Sequence, residues 1–222
     1  MSKTIRYKST ADYVTAEIQR LILSGELMPG ARVDQLDLAV QLEVSRHPVR
    51  QAIERLAERG FINLHPHRSA VVAEISVDDM DELYRAREIM EKWAIRESWE
   101  RDTPTTASQI AELYAVLEQA DPNKDLDAYM NANRAFHLAM YAGCGNRHII
   151  RSITSLFDLS ERYQRTALHH DSRIDRSRKE HAAMMKAIKA GDRDRLLDLV
   201  ASHNKGTQAT VRLQQAGKAA AA

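Results

Sequence analysis

Three histidines, His137, His181 and His203, fall on apolar helical stripes rather than polar ones. His137 shares a face with Asn133, Leu126, Met130 and Met140; His181 with Met184, Met185 and Ile188; His203 with Leu196 and Val200. Residues three or four apart lie on one side of a helix, so these rings point inward. A buried imidazole needs a hydrogen-bond partner or a ligand, and a single one is ordinarily satisfied by a backbone carbonyl. Three on three separate helices raise a different chemistry, because neutral imidazole is the commonest metal ligand and helical bundles build metal sites from side chains that converge on their axis. Asn133, one turn before His137, adds an amide oxygen. Three imidazoles and one oxygen suit a divalent ion such as zinc, nickel, manganese or iron, with positions left for an added ligand. Cys144 is the only cysteine, which excludes an intrachain disulfide and a cysteine-based zinc site. Arg87, among Met80, Leu83, Met90 and Ala94, is a further inward charge, with Glu91 one turn on.

A second group of residues suits nucleic acid. Net charge is +1, with a pI near 7.9, so bulk composition announces no polyanion binder. Arg46, Arg50, Arg55, Arg59 and Arg68, however, fall in one stretch against only Glu54 and Glu58. Within VSRHPVRQAIERLAERG, Arg46 and Arg50 share a face that lies away from the apolar Val49, Ile53 and Leu56. An arginine can bridge guanine O6 and N7 or neutralise a phosphate. Ser45 and His47 stand beside them, and Arg68 would sit at a hairpin tip with His65 and His67, within reach of the adjoining minor groove.

The elements that must position these groups follow from periodicity. Val14, Ile18, Leu21 and Ile22 give a helix from about Thr10 to Ser24, and Pro29-Gly30 gives a turn. Asp34 is placed to cap a short second helix carrying Leu36, Ala39 and Leu42, and Ser45 to cap a third that stops at Gly60. FINLH, PHRS and AVVAEI read as strand, turn and strand, a wing directly after the third helix. From Ser76 onward the pattern is helical, with helices near 77–101, 104–120, 125–142, 146–167, 174–190 and 192–214, and QQAGKAAAA as a frayed tail. The expected fold is therefore mainly α: a winged helix-turn-helix over 1–76 and an all-helical antiparallel bundle over 77–222. No signal-like start and no long apolar run is present, so a cytoplasmic protein without membrane contact is expected.

The motif VSRHPVRQAI, continued by RLAERGFI, resembles the winged helix-turn-helix of the GntR family of bacterial repressors, whose helix start commonly reads VSRTPVREAL. That resemblance implies that Arg46 and Arg50 read an operator in double-stranded DNA, with His47 tuning the contact. The family usually has Gly where Ser69 stands, and some members place a polar or basic residue at Leu36. NRAFHLAMYAGCGN, KEHAAMMKAIKAGD and LYRAREIMEKWA are similar to the FCD domain of the FadR-like branch. The spacing agrees too: 44 residues separate His137 from His181, and 22 separate His181 from His203. The resemblance implies that His137, His181 and His203 ligate a metal and that Arg87 is the pocket cation for a small organic acid. Asn133 stands where the family usually has Asp, which makes the site less anionic.

Together these readings give a homodimeric regulator, most simply a repressor, that places two recognition helices on a two-fold operator and responds to an acid. Two other readings share the residues. The metal is purely structural, or absent, and a different effector lies elsewhere among the helices. Alternatively, a three-histidine metallohydrolase uses Glu91 as its general base, although nothing else marks a nucleophile.

Overall fold

The computed structural model describes residues 9–65, 69–101, 104–168 and 171–221. The chain divides into two compact units, Met1–Ile75 and Ser76–Ala222. Ser76 belongs with the second unit because its hydroxyl caps the first helix there, accepting from the Asp79 amide at 3.2 Å.

In the first unit α1 (Thr10–Ser24) opens on a Ser9 cap. It packs against α3 (Arg46–Glu58), with α2 (Gln35–Gln41) on the other side of α3. Val14, Ile18 and Leu21 of α1 meet Val49, Ile53 and Leu56 of α3 in a closed core. Asp34 caps α2 as expected, its Oδ1 accepting from the Leu36 and Asp37 amides. Ser45 occupies the N-cap position of α3 in extended backbone, but its hydroxyl makes no capping hydrogen bond. Its side chain is thus left exposed beside Arg46 and His47. Gly60, at φ 72°, closes α3 in a Schellman arrangement, with Phe61 N–H reaching Leu56 O at 2.9 Å and Gly60 N–H reaching Ala57 O at 2.9 Å.

The wing pairs β1 (Ile62–His65) with β2 (Ser69–Val72), Ile62 opposite Val72 and His65 opposite Ser69. A third short segment joins it. Met28 O accepts from Ala31 N–H around Pro29 and Gly30, the latter at φ 79°, which is the geometry of a type II turn. The chain after the turn then bonds β2 through Val33 N–H to Ala70 O at 2.8 Å and Val72 N–H to Ala31 O at 2.9 Å. Two residues of bridging are too few to leave an alternating pattern, which is why the sequence showed only the turn.

The second unit consists of α4 (Val77–Glu100), α5 (Pro104–Gln119), α6 (Leu126–Ala142), α7 (Arg147–Leu168), α8 (Asp171–Ala190) and α9 (Arg193–Ala221). Helix α4 packs against α7 and α9, α5 against α6, and α8 against α9, so chain neighbours and the long α4–α9 contact enclose one core. That core contains Ala94, Ile95, Phe136, Met140, Ile153, Met184, Leu196 and Val200. Two bounds differ from the periodic reading. Helix α8 begins at Asp171, before its apolar stripe does. Helix α9 continues to Ala221 instead of fraying after 214, because alanine has the highest intrinsic helix propensity and needs no packing partner to extend an established helix. No helix among the described residues is long and apolar enough to cross a membrane.

The turn between α2 and α3 is where the first unit carries strain. Glu43 sits at φ 54°, with its N–H on Val40 O at 3.2 Å and Val44 N–H on Ala39 O at 3.0 Å. Left-handed backbone costs a non-glycine residue about 1 kcal/mol or more. Glu43→Gly is therefore expected to stabilise the protein by about 0.5–1 kcal/mol in urea or thermal unfolding. A destabilised variant would show that the Glu43 side chain, not its backbone, governs this turn.

Candidate metal centre and DNA-facing helix

Helices α6, α8 and α9 bring the three histidines to one point. His137, His181 and His203 are each less than 10% exposed, and one ligand nitrogen from each lies within 4.8 Å of the others. His137 Nε2 and His181 Nε2 are 3.2 Å apart, and the His181 and His203 ring centres are 4.7 Å apart. Burial holds the His137 and His181 imidazoles well below the usual histidine value, and the positive charge of Arg173 adds to the effect. Burial lowers His203 as well, against the opposing pull of Glu180. All three rings are thus neutral near pH 7, the form that donates a lone pair to a metal.

The residues fit a divalent ion. Two nitrogens each about 2.0–2.1 Å from one ion sit roughly 2.9–3.4 Å apart in octahedral to tetrahedral geometry, which brackets the 3.2 Å between His137 and His181. The Nδ1 of His137 is buried without a hydrogen-bond partner, so no protein group outside the imidazole cluster claims this ring by hydrogen bonding. Among the described residues no carboxylate joins the three histidines as a ligand group.

Around the cluster lies a polar shell. Asn133 is buried on α6 and donates from Nδ2 to Gln164 Oε1 at 3.2 Å, which leaves its carbonyl oxygen as the ligand-type atom. Gln164 donates to Ser160 Oγ at 2.9 Å, and Arg87 Nη1 donates to the same hydroxyl at 2.7 Å. Asn133 and His203 line a small cavity together with Tyr129, Gln164, Arg173 and Thr207. His181 lies at a second, larger opening bordered by Tyr114, Leu117, Tyr129, Arg178 and Lys179.

Arg87 is only 1% exposed, and it is engaged internally. Its Nε donates to Glu91 Oε1 at 2.7 Å, and its guanidinium lies 4.5 Å from the Phe157 ring centre and 5.0 Å from that of Tyr84. Asn204 takes the other Glu91 oxygen at 3.0 Å. Arg87 is thus held in an ion pair within α4 by Glu91, the nearest carboxylate to the buried guanidinium. The same contacts occupy both oxygens of Glu91.

Sequence reasoning assigned no role to Arg173, Glu180, Gln164 or Ser160. Glu180 was visible beside His181 in KEHAAMM, but helical periodicity places it off the apolar stripe, among residues that normally face water. Arg173 lies in a strongly charged run where no inward face stands out.

In the first unit, Ser45, Arg46, His47 and Arg50 are exposed together at the start of α3, while Pro48 and Val49 between them are buried. Arg50 lies 3.8 Å from Glu54 in a solvent-exposed pair, a contact too weak to hold it from another anion. Arg55, grouped with these on sequence grounds, instead bonds Asp12 of α1 at 2.7 Å and braces the two helices. Ser45 and His47 also border an open groove beside Ser9 and Thr10 at the start of α1. Arg68 lies outside the described residues.

Comparison with known proteins agrees with both units. The signature described as bacterial regulatory proteins, gntR family, matches residues 10–72, and that of the FCD domain matches 82–206. The chain is 32% identical over 137 residues to the HTH-type transcriptional regulator McbR of Escherichia coli, an alignment spanning 62% of either protein. It is 26% identical to the HTH-type transcriptional repressor GlaR of E. coli over 82% of this chain and 86% of that one. The Gluconate operon transcriptional repressor of Bacillus licheniformis is 25% identical over 88% of this chain and 82% of its own. Among solved structures, E. coli McbR/YncC superposes with a TM-score of 0.79 at 25% identity, covering 94% of this chain and all of that one. These relatives are transcription regulators rather than enzymes.

The internal pairing of Arg87 makes a stability forecast. Arg87→Met strands the Glu91 carboxylate in the core and is expected to cost about 3–5 kcal/mol, read as a fall in the urea midpoint. Adding Glu91→Leu removes the stranded charge and should recover much of that loss. A single variant as stable as the native chain would mean that Arg87 is not held in this pair.

Proposed function

The chain belongs to the gntR family of bacterial regulatory proteins and carries an FCD domain, and on that footing we propose that it is a metal-dependent, acid-responsive regulator of an operator. The observation that carries this reading is the meeting of three buried, neutral imidazoles from α6, α8 and α9. His137, His181 and His203 would hold a divalent ion of the zinc, nickel, manganese or iron type, with the Asn133 carbonyl oxygen as a fourth, weaker ligand. The ion would supply a Lewis-acidic centre for an anion. With no carboxylate in the ligand group, and with Arg87 neutralised by Glu91, the site keeps positive charge that a small organic acid can balance. Arg87 would contribute to the acid's binding through its bond to Ser160, the hydroxyl that Gln164 shares.

Output from the site would run through the contacts that bind its helices together. Asn133, Gln164, Ser160 and Arg87 form a hydrogen-bonded chain from α6 through α7 to α4, and α4 follows the wing after only a short connector. A ligand that favours one packing of these helices shifts the population of DNA-binding conformers by its differential affinity. On the DNA side, Arg46 and Arg50 would reach base edges in the major groove, with Ser45 and His47 on neighbouring phosphates and Arg68 of the wing on the minor-groove side. A homodimer would present two such helices to a two-fold operator, and repression is the simplest output, as in the GlaR and gluconate-operon relatives.

Two measurements test the two halves. Elemental analysis of the purified protein should find about one divalent ion per chain. Calorimetry should then show short hydroxy acids, dicarboxylates or sugar acids binding to the ion-loaded protein and not to the chelator-treated one. Acid binding that survives complete removal of the ion would favour a structural metal, and absence of both ion and acid binding would retire the sensor. For the DNA half, Arg46→Ala combined with Arg50→Ala should weaken binding to a duplex selected by the native protein from a random pool by about thirtyfold or more. The acid-binding isotherm should be untouched. Unchanged duplex affinity would remove α3 as the reading helix.

A further inference from the structure

Each imidazole offers one lone pair at a time when neutral, and whichever nitrogen carries the proton cannot ligate. In the three-histidine cluster one ring has a partner that settles this. His203 Nδ1 lies 2.7 Å from Glu180 Oε2, far nearer than the 3.4 Å to Arg173 Nη2, so the carboxylate is its hydrogen-bond partner. A carboxylate only accepts, so the proton sits on Nδ1, and Nε2 is the nitrogen with a free lone pair. Glu180 is itself fixed: Arg173 Nη1 donates to Oε2 at 2.8 Å, and Arg176 Nε to Oε1 at 2.8 Å. Arg173 extends the brace to α9, donating from Nη2 to the His203 carbonyl and to Thr207 Oγ1, each at 3.1 Å.

We propose that Glu180 is a positioning residue for the three-histidine site: its carboxylate, clamped by Arg173, holds His203 with the proton on Nδ1 and presents Nε2 to a divalent ion. The inference rests on the metal reading above for its consequence, but its geometric core concerns the protein alone. Glu180 and His181 are adjacent on α8, so their side chains leave the helix about a quarter-turn apart. One residue reaches the ion site directly, and its neighbour reaches around the outside of the next ligand. This is the arrangement in which a carboxylate behind a histidine fixes the ring, raises its basicity and strengthens metal binding. It also compensates for Asn133, since the only carboxylate bonded to a ligand imidazole among the described residues stands behind His203 rather than in the ligand set.

The test uses the full chain labelled with ¹⁵N-histidine. In chelator-treated native protein, the His203 ring nitrogens should report the Nδ1–H tautomer, and Glu180→Gln, which keeps the shape and removes the charge, should shift that population toward Nε2–H. On zinc titration the same variant should show a dissociation constant raised by about 10- to 100-fold. A proton found on Nε2 of His203 in the native protein, or native zinc affinity in Glu180→Gln, would overturn the assignment. Should Glu180→Gln fail to fold, the native tautomer measurement still decides. If native protein binds no zinc, the metal reading falls, and the tautomer alone then decides whether Glu180 orients His203.

Discussion

Burying ionisable groups in a helical interior is tolerated only where each finds its complement, and this constraint organises the second unit. Arg87, Glu91, Arg173 and three imidazoles are removed from water together with Asn133, Ser160 and Asn204. Left unpaired, each such group costs from about 1 to several kcal/mol. The pairing divides them into two sets. Arg87, Glu91, Ser160 and Asn204 close on one another and tie α4 to α7 and α9. Arg173, Glu180, His203 and Thr207 do the same for α8 and α9. His137 and His181 remain, facing each other, and the buried Nδ1 of His137 has no hydrogen-bond partner.

Much of this was legible in the sequence because the strongest signals are periodic. Inward stripes at helical spacing placed His137, His181 and His203 on three helices facing a common core, and the structure brings them together. The helix bounds followed within a few residues except at the end of α9, since caps such as Asp34 and Ser76 act locally. What did not show was the identity of partners. Periodicity reports which way a side chain points, not what it meets, and so Arg87 was readable as buried, first as a ligand cation and otherwise as the mate of Glu91. Glu180 and Arg173 were invisible for a related reason: a charged residue at the flank of an apolar stripe is ordinarily solvated, and only the tertiary contact with His203 distinguishes this one.

The first unit shows the same limit in the opposite sense. Its arginines are similar in composition and close in sequence, yet their positions on α3 separate them. Arg46 and Arg50 project from the exposed first turns beside Ser45 and His47, whereas Arg55 is drawn back to Asp12 and works as a brace between α1 and α3. A charge cluster read from sequence is therefore a pool from which folding subtracts. The unpaired capping hydroxyl of Ser45 belongs to this logic as well, because a side chain not engaged at the helix terminus is available to another acceptor or donor.

Asn133 gives the charge balance of the helical unit its direction. An aspartate there would place a negative charge beside the imidazoles, offset half of a divalent ion's charge and compete with any incoming anion. An amide offers an oxygen without a charge, and its nitrogen is committed to Gln164. The ion would then be held more weakly by the protein and more dependent on an exogenous carboxylate for neutrality, so that ion and acid bind with positive coupling. The negative charge the site does possess is displaced outward to Glu180, where it acts through an imidazole and is itself balanced by Arg173 and Arg176. A carboxylate placed behind His203 would keep that ring oriented while leaving the inner positions open to an added ligand.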